Sequence, residues 1–329
     1  MGFDKKYYTD AENELNGIRM KNQRTLAARE RETDEKFPEV GKIRRSLAGT
    51  TSKLLRIIAD RDNDIKAQLE ALERENLQLQ DRLKETLVRC GLPANYLDPI
   101  YDCAKCRDTG IVDGKLCECF REKVKKAAAA ELSASSPLQL CGFDEFDLTY
   151  YDDNEVLPLG ATARKIMAKN LSICRSYAEN FRLPYNGMVL RGKTGLGKTH
   201  LSLSIAKAVT DKGYSVIYGS APDLFRRIEK EHFGNSGDDT DTLGLLTSTD
   251  LLVLDDLGAE FESKFYVSAF YNIINDRMNR SLPTIVSTNL DLPETEKRYG
   301  ERVSSRLSTM DMLIFVGSDV RFLKKRRQL

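Results

Sequence analysis

Beyond about residue 140, short apolar runs alternate with amphipathic stretches along the chain. The runs have the composition of buried strands and lie at 188–190, 216–218, 251–254, 284–287 and 313–316. The amphipathic stretches have helical periodicity and lie at 161–181, 198–211, 222–232, 263–280 and 300–308. Alternation of this kind is typical of a parallel sheet with crossover helices. We therefore predict an α/β domain over 137–329, with a five-stranded parallel sheet and helices on both faces.

Residues 1–95 have a different pattern, which is charged and predominantly helical. From Ile58 onward, positions recur at a heptad-like spacing: Ile58, Ile65, Leu69, Leu72, Asn76, Leu79 and Leu83. In a two-stranded coiled coil, Asn76 would occupy a register-setting position. Asp62 breaks the repeat, so the seam holds for about three heptads, whereas coiled coils usually sustain more. We favour an amphipathic helix that folds back on the preceding helices, and an intermolecular coiled coil is the alternative.

Four of the seven cysteines lie close together in the segment 96–136. They form two pairs separated by a glycine-containing turn: Cys103, Cys106, Cys117 and Cys119. Two such pairs can close a tetrahedral Zn²⁺ site, and a segment with so few apolar residues needs a stabilising centre of this kind. A redox dithiol is the alternative, although that motif normally starts a helix in a thioredoxin-like unit. We predict a small zinc-binding module, followed by a linker that ends near Pro137.

Bulk composition limits the classes of partner. The chain has 51 basic and 50 acidic residues, for a net charge of +1, so contact with DNA would depend on a local patch. Apolar runs are far shorter than the roughly 20 residues of a membrane span, and the first residues lack the apolar core of a signal peptide. We expect a cytoplasmic protein without a membrane partner, whose cysteines are thiols or metal ligands.

A glycine-rich motif follows the first strand of the α/β domain. Residues 192–199 read Gly-Lys-Thr-Gly-Leu-Gly-Lys-Thr, the P-loop pattern, and a helical stretch comes directly after them. Backbone amides converge on an anion in such a turn. Lys198 would reach the β- and γ-phosphates of ATP, and the Thr199 hydroxyl would bind Mg²⁺. The predicted nucleotide-binding residues are Gly192, Lys193, Thr194, Gly195, Leu196, Gly197, Lys198, Thr199 and His200.

Polar side chains at the ends of later strands supply the other parts of an ATPase site. Asp255 follows the run 251–254 and would hold Mg²⁺, and Asp256 could orient or deprotonate the attacking water. Asn289 ends the next strand and could touch the γ-phosphate. Arg302 and Arg321 could neutralise phosphate charge, in the same chain or from a neighbouring subunit. For any one arginine taken alone, a solvated surface position is the alternative.

These motifs, in this order, resemble the AAA+ ATPases, and in particular the bacterial replicative-helicase loaders of the DnaC/DnaI type and the related IstB ATPase. The segments that carry the resemblance are 192–201, 251–260, 287–289, 300–307 and 319–321, and the segment 101–110 is similar to the zinc region of the DnaI-type loaders. The resemblance implies a P-loop AAA+ domain. It also implies a sensor-1 role for Asn289, the arginine finger for Arg302 in preference to Arg306, and a sensor-2 role for Arg321.

The same resemblance implies a function. The chain would be an ATPase that uses ATP, Mg²⁺ and Zn²⁺, self-assembles into a ring or spiral, and loads the hexameric replicative helicase onto single-stranded DNA. Asp256 stands where AAA+ proteins commonly carry Glu, so hydrolysis should be slow. Only 40 residues follow Asn289, which implies a domain without a separate lid. A transposase helper of the IstB type is the alternative, and the cysteine cluster favours the loader.

The resemblance also draws attention to the segment 220–227, which would lie near the pore of the ring. Phe225 could stack on a base there, and Arg226 and Arg227 could contact phosphates. An ordinary amphipathic helix that buries Leu224 and Phe225 is an equally good interpretation of the same pattern.

Overall fold

A computed structural model describes residues 5–59, 65–133, 142–234 and 241–327. The predicted linker end near Pro137 lies outside the described residues. The chain divides into two compact units, one formed by Glu12–Cys119 and the other by Met1–Ala11 together with Phe120–Leu329. The predicted domain boundaries near residues 95 and 136 remain predictions.

Helices dominate the first part of the chain. They are α1 (Lys5–Lys36), α2 (Pro38–Ala48), α3 (Thr50–Ala59) and α4 (Ile65–Arg89), and a small hairpin of β1 (Ile111–Val112) and β2 (Lys115–Leu116) follows them. Helix α4 packs against α2 and α3 of the same chain. Asn76 Nδ2 donates to Thr50 Oγ1 at 3.0 Å, and Lys53 pairs with Glu75 at 2.7 Å. The repeat therefore folds back within the chain, as the favoured interpretation proposed.

The elements that follow form an α/β domain. In chain order they are α5 (Glu118–Leu132), α6 (Ala163–Glu179), β3 (Met188–Arg191), α7 (Lys198–Asp211), β4 (Val216–Ser220), α8 (Ala221–Phe233), α9 (Thr242–Ser248), β5 (Leu251–Leu257), α10 (Lys264–Asn279), β6 (Thr284–Thr288), α11 (Leu292–Tyr299), α12 (Glu301–Ser308), β7 (Asp311–Ile314) and α13 (Val320–Arg327). Five strands form one parallel sheet in the order β4-β5-β6-β3-β7. The predicted five-stranded parallel sheet is confirmed.

Both faces of this sheet are buried. One core cluster joins α6 and α7 to alternate strand residues, namely Met188, Leu190, Val216, Tyr218, Leu251, Val253, Ile285 and Leu313. The residues between them in the strands are also buried, namely Val189, Ile217, Leu252, Leu254 and Val286. Successive side chains of a strand point to opposite faces, and α8 packs on β4 and β5. The predicted covering of the sheet by helices on two faces is therefore confirmed.

Three helices of this domain escaped the sequence prediction: α9, α11 and α13. Each has seven or eight residues, which is too short for helical periodicity to be distinguished from chance. Helix α11 nevertheless has a start signal, because Asp291 and Glu294 form a reciprocal capping box with a proline in the first turn. Among the described helices, none combines the length and the apolar composition needed to cross a membrane.

The strand order determines where a ligand can bind. Strand β6 lies between β5 and β3, and all three run in the same direction. Their carboxyl ends therefore meet at one edge of the sheet. That edge carries the P-loop after β3, the paired carboxylates of β5 and the polar end of β6, and ligands of open parallel sheets bind at such edges.

Candidate nucleotide-binding site and metal centre

The P-loop connects β3 to the first residue of α7, which is Lys198. Two of its glycines are required by close packing. A Cβ on Gly192 would lie 2.5 Å from the Phe315 carbonyl oxygen, and a Cβ on Gly197 would lie 2.7 Å from the Phe146 ring. Gly197 also has a φ of +88°, which favours glycine. The loop is therefore a tightly packed turn at the amino end of a 14-residue helix, the geometry that binds phosphate.

Lys198 is held against this loop. Its side chain is almost fully buried, and Nζ donates to the carbonyl oxygens of Gly192 at 2.7 Å and Lys193 at 2.8 Å. Burial lowers the pKa of Lys198, and the nearby carboxylates of Asp256 and Asp255 oppose that shift. The ammonium thus lies within the electrostatic reach of both predicted acids, at the loop that would hold the phosphates.

Asp255 is a buried carboxylate with hydrogen-bond donors on both oxygens. The Tyr218 hydroxyl donates to Oδ2 at 2.6 Å, and the Ser287 hydroxyl donates to Oδ1. Sequence reasoning missed both partners, because they lie on the neighbouring strands β4 and β6. They fix the orientation of a side chain that could hold a divalent cation from this strand end.

Asp256 departs from regular strand geometry. The pairing of β5 with β6 shifts register between Leu254 and Leu257, and Asp256 has a φ of +54°, which is rare for a residue with a side chain. Its backbone amide donates to Ser287 Oγ at 3.0 Å. Partial burial raises the pKa of Asp256, the charge of Asp255 adds to that shift, and Lys198 and Arg321 oppose it. Strained backbone of this kind clusters at functional sites.

A cavity of about 370 Å³ lies over the P-loop. Its lining brings together Lys198, Thr199, Asp256 and Arg321, four of the residues that the sequence predicted to form the site. The rest of the lining includes aromatic side chains and the P-loop backbone from Thr194 to His200. The cavity therefore combines a backbone cradle, a buried cation, a carboxylate and an arginine, which suits a nucleotide with its phosphates.

An aromatic segment that sequence reasoning missed closes one side of this cavity. The Tyr151 hydroxyl donates to the Leu196 carbonyl oxygen at 3.0 Å, and the Phe146 ring stacks on Tyr151 at 5.7 Å. The edge of Phe146 also contacts His200 at 5.4 Å, and His200 Nε2 lies 2.9 Å from the Gly142 carbonyl oxygen. These contacts hold the P-loop in place. The high content of aromatic residues over 143–151 was the sequence signal that could have identified this segment.

The four predicted zinc ligands converge in the unit Glu12–Cys119. All four Sγ atoms lie within 4.8 Å of one another, with 3.9 Å between Cys103 and Cys117 and 3.4 Å between Cys106 and Cys119. Tetrahedral Zn²⁺ with bonds of about 2.3 Å separates its sulfur ligands by about 3.8 Å. Hydrogen bonds from Cys106 lower the pKa of Cys103 and burial raises the pKa of Cys119, and a bound metal would hold all four side chains as thiolates. The residues therefore fit zinc.

Asp108 supports this cluster. It is buried, and its carboxylate accepts the backbone amide of Cys103 at 2.8 Å and that of Asp102 at 3.0 Å. Asn22 of α1 donates to the same carboxylate at 3.2 Å. Sequence reasoning missed Asp108, although its place two residues after the second cysteine of the pair is a recognisable turn position.

We expect purified protein to contain about one zinc per chain, the number held by a single closed four-cysteine site. Cys106→Ser should lose most of that metal, because a buried ligand is replaced by a hydroxyl. Elemental analysis of the purified chain measures both. Cys90→Ser is the matched control, since Cys90 lies outside the cluster, and it should retain zinc. Folded wild-type protein without metal would contradict the assignment.

Residues 161–315 match the family described as IstB-like ATP binding protein. The match contains the P-loop, both acids of β5 and the end of β6, so the resemblance found in the sequence is confirmed.

Curated relatives of the chain include replicative helicase loaders. The loader DnaC of Escherichia coli K12 is 34% identical over 138 residues, which are 42% of this chain and 56% of DnaC. The loader DnaI of Bacillus subtilis is 26% identical over 188 residues, which are 52% of this chain and 59% of DnaI. The chain thus spans somewhat more than half the length of these relatives. A crystal structure of the DnaC helicase loader has 28% identity and a TM-score of 0.43, covering 53% of this chain and 98% of that one.

Five of the predicted site residues lie outside the cavity lining: Gly192, Lys193, Asp255, Asn289 and Arg302. Asn289 follows β6 and is exposed, and Arg302 is exposed on the first turn of α12. Arg306 differs from Arg302, because its guanidinium donates to Asn275 Oδ1 at 2.8 Å and lies 4.7 Å from the Tyr271 ring centre. Arg306 thus anchors α12 to α10, which leaves Arg302 as the exposed arginine of the pair.

The structure corrects the suggestion that Phe225 stacks on DNA. Phe225 is fully buried, 5.7 Å from the ring of Tyr266 and 6.0 Å from that of Phe270. The apolar residues Leu224, Phe225 and Ile228 form the inner face of α8. The interpretation of this segment as an ordinary amphipathic helix was therefore the right one for its apolar residues.

Proposed function

We propose that this chain is an ATP-dependent loader of the hexameric replicative DNA helicase, which it places on single-stranded DNA when replication starts or restarts. The observation that carries the proposal is the similarity to the loader DnaC over 138 residues, in a chain whose P-loop lines a cavity of about 370 Å³. The further details rest on the geometry of individual residues.

The residues that line the cavity, together with Asp255 beside it, would divide the work of ATP hydrolysis. The P-loop amides and Lys198 hold the phosphates, and Thr199 with Asp255 would hold Mg²⁺, which neutralises phosphate charge when bound. Asp256 would orient the attacking water from its strained position on β5. Its side chain is one methylene shorter than the Glu common in AAA+ proteins, so we propose slow turnover.

The position of the arginines supports assembly. Arg321 lines the cavity of its own chain and would act there as the sensor-2 residue. Arg302 is exposed on α12 and would reach the γ-phosphate bound to a neighbouring subunit. Arginine fingers supplied by a partner work in this manner. The proposal therefore includes a ring or spiral in which each nucleotide lies between two subunits, so that ATP controls assembly.

A different surface from the one predicted would contact single-stranded DNA. Phe233 at the end of α8 is 71% exposed, and its ring lies 5.3 Å from that of Phe265 on α10. His232 contacts both rings, and Lys230 and Lys264 are exposed near the same helix ends. Exposed aromatic rings flanked by basic side chains can stack on bases and bind phosphates. We propose that this surface replaces Phe225 as the DNA contact.

An exposed apolar face in the unit Glu12–Cys119 supports the proposal that the chain binds a protein partner. Helix α3 has no buried residue, and Leu54, Leu55 and Ile58 are all exposed. Contiguous apolar side chains on a surface commonly mark interaction sites. We propose that the helicase binds this face.

Helper activity for a transposase is the second candidate, because the family that matches residues 161–315 is described as IstB-like. The test is complex formation between the full-length chain and either its cognate replicative helicase or a candidate transposase, measured by light scattering after gel filtration. We expect a complex with the helicase. Leu55→Asp should weaken it at least about tenfold, the effect of losing one buried apolar contact of this size at an interface.

Leu77→Asp is the matched control, since Leu77 is exposed on α4 rather than on the α3 face, and it should bind as wild type does. A complex with the transposase and none with the helicase would reject the loader and select the second candidate.

A further inference from the structure

A buried carboxylate connects the nucleotide site to the helix that carries Arg302. Glu260 lies four residues beyond Asp256, and its side chain is only 2% exposed. Its Oε2 accepts the backbone amide of Gly258 at 3.0 Å, which closes the turn that follows β5. Gly258 has a φ of +101° and Asp256 a φ of +54°, so the side chain of Glu260 stabilises an unusual backbone path directly after the catalytic strand.

The partners of Glu260 come from the end of α11. The Tyr299 hydroxyl donates to Oε1 of Glu260, and Arg298 Nε lies 3.4 Å from the same oxygen. Arg298 Nη2 donates in addition to the backbone carbonyl oxygen of Glu260. Two consecutive residues of α11 therefore hold one residue of the β5 turn, by its side chain and its backbone. Hydrogen bonds to a buried charge are strong, and leaving that charge unpaired is costly.

Helix α12 begins where this contact ends. Gly300, with a φ of +86°, follows Tyr299 and is the residue before the first turn of α12, which contains Arg302. At the far end of the helix, Arg306 is held by Tyr271 and Asn275 of α10. Two anchors therefore hold α12: Arg306, which also donates to the Arg302 carbonyl oxygen at 2.9 Å, and, before the first turn, Glu260. Movement of the β5 turn must be transmitted to that anchor or break it.

The surroundings permit such a movement. A cavity of about 530 Å³ lies beside the contact and is lined by Glu260, Arg298 and Tyr299 together with Tyr266 and Leu290. Tightly packed interiors resist displacement, whereas side chains next to a cavity can shift with little loss of packing. The exposed ring of Phe261 and the charged side chains of Glu262 and Lys264 line the same cavity, so its wall is part of the protein surface.

We infer that Glu260 is a positioning residue that couples the nucleotide site of one subunit to the arginine finger which that subunit presents to the next. When the turn after Asp256 adjusts to ATP, Glu260 carries the change through Arg298 and Tyr299 to α12 and Arg302. The inference rests on the proposed function, since it requires an arginine finger that acts between subunits. It adds a named route by which successive sites in the assembly communicate.

The test separates finger presentation from catalysis by mixing subunits. Acceptor subunits carry Arg302→Ala and keep an intact cavity. Donor subunits carry Asp256→Asn, which should bind ATP without hydrolysing it, and they present an intact Arg302. We expect such donors to restore ATP turnover to the acceptors. Donors that carry both Asp256→Asn and Glu260→Gln should restore at least about fivefold less, the lower end of typical coupling effects.

Glu262→Gln in the donor is the matched control, because Glu262 is exposed on the same cavity wall and lacks these contacts among the described hydrogen bonds. Tyr299→Phe in the donor removes one hydrogen bond from the α11 side and should also reduce restoration. Melting temperature and ATP affinity of each donor exclude unfolding as the cause. If Glu260→Gln and Tyr299→Phe donors restore turnover as well as the Asp256→Asn donor, the coupling role is wrong while the finger stands. If the Asp256→Asn donor restores nothing, the finger and the coupling fall together.

Discussion

Replacing Lys198 with alanine is expected to abolish ATP binding at micromolar nucleotide concentrations and, with it, ATP turnover. The Lys198 ammonium is buried at the P-loop and already makes two hydrogen bonds there, to the carbonyl oxygens of Gly192 and Lys193. With nucleotide bound, it would exchange them for phosphate oxygens. Each charge-assisted hydrogen bond contributes about 1.5–3 kcal/mol, so two lost bonds weaken binding by about a hundredfold or more.

Titration with a fluorescent ATP analogue in the presence of Mg²⁺ measures this effect. Lys207→Ala is the matched control, because it removes the same charge from an exposed position on α7, outside the cavity lining. The control should bind ATP as wild type does. Normal ATP affinity in the Lys198→Ala protein would show that the glycine-rich loop is not the phosphate site.

Replacing Arg302 with alanine is expected to lower the rate of ATP hydrolysis by about a thousandfold, the lower end of the contribution measured for arginine fingers. Nucleotide affinity of the dilute, unassembled chain should change little, because Arg302 lies outside the cavity of its own chain. Both quantities are measured on one preparation, by phosphate release at high protein concentration and by nucleotide titration at low concentration.

Arg280→Ala is the control for loss of an exposed arginine, since Arg280 lies at the end of α10 and should be dispensable for turnover. Two outcomes would contradict the proposed role of Arg302. A fall in the ATP affinity of the dilute Arg302→Ala protein that matches its fall in turnover would mean that Arg302 acts within its own chain. Turnover equal to wild type would remove the finger role altogether.

The sequence predicted those parts of the site whose residues are adjacent in the chain. The P-loop and the pair Asp255-Asp256 are local motifs, each attached to a strand that its own apolar run reveals. The five strands were found for the same reason, since a buried parallel strand reads as an uninterrupted apolar run. The strand boundaries differ from the predicted ones by up to three residues, because β4 and β5 continue past their apolar runs into polar residues that still pair with the neighbouring strand.

The parts that escaped prediction depend on contacts between distant residues. Tyr218 and Ser287 reach Asp255 only because β4 and β6 flank β5 in the sheet, an order that no local pattern contains. Glu260 lies in a polar stretch that predicts an exposed turn, and its partners are 38 and 39 residues away. For Phe225, the sequence left two interpretations open, and the face of α8 that the sheet buries decided between them.

Asn76 shows the opposite case, in which a familiar pattern has a different cause. The heptad-like spacing of α4 is real, but it serves packing within the chain, against α2 and α3. The Asn76 side chain donates to Thr50 of the same chain. A short repeat of about three heptads is compatible with both arrangements, because each places apolar side chains along one seam.

Helicase transfer to DNA tests the central claim most directly. The purified complex of this chain with its cognate helicase is incubated with circular single-stranded DNA and ATP, and the helicase retained on the DNA is measured after gel filtration. The proposed loader predicts several-fold more helicase on DNA with the wild-type chain and ATP than with the Lys198→Ala chain or with helicase alone. Equal amounts of DNA-bound helicase in all three reactions would contradict it.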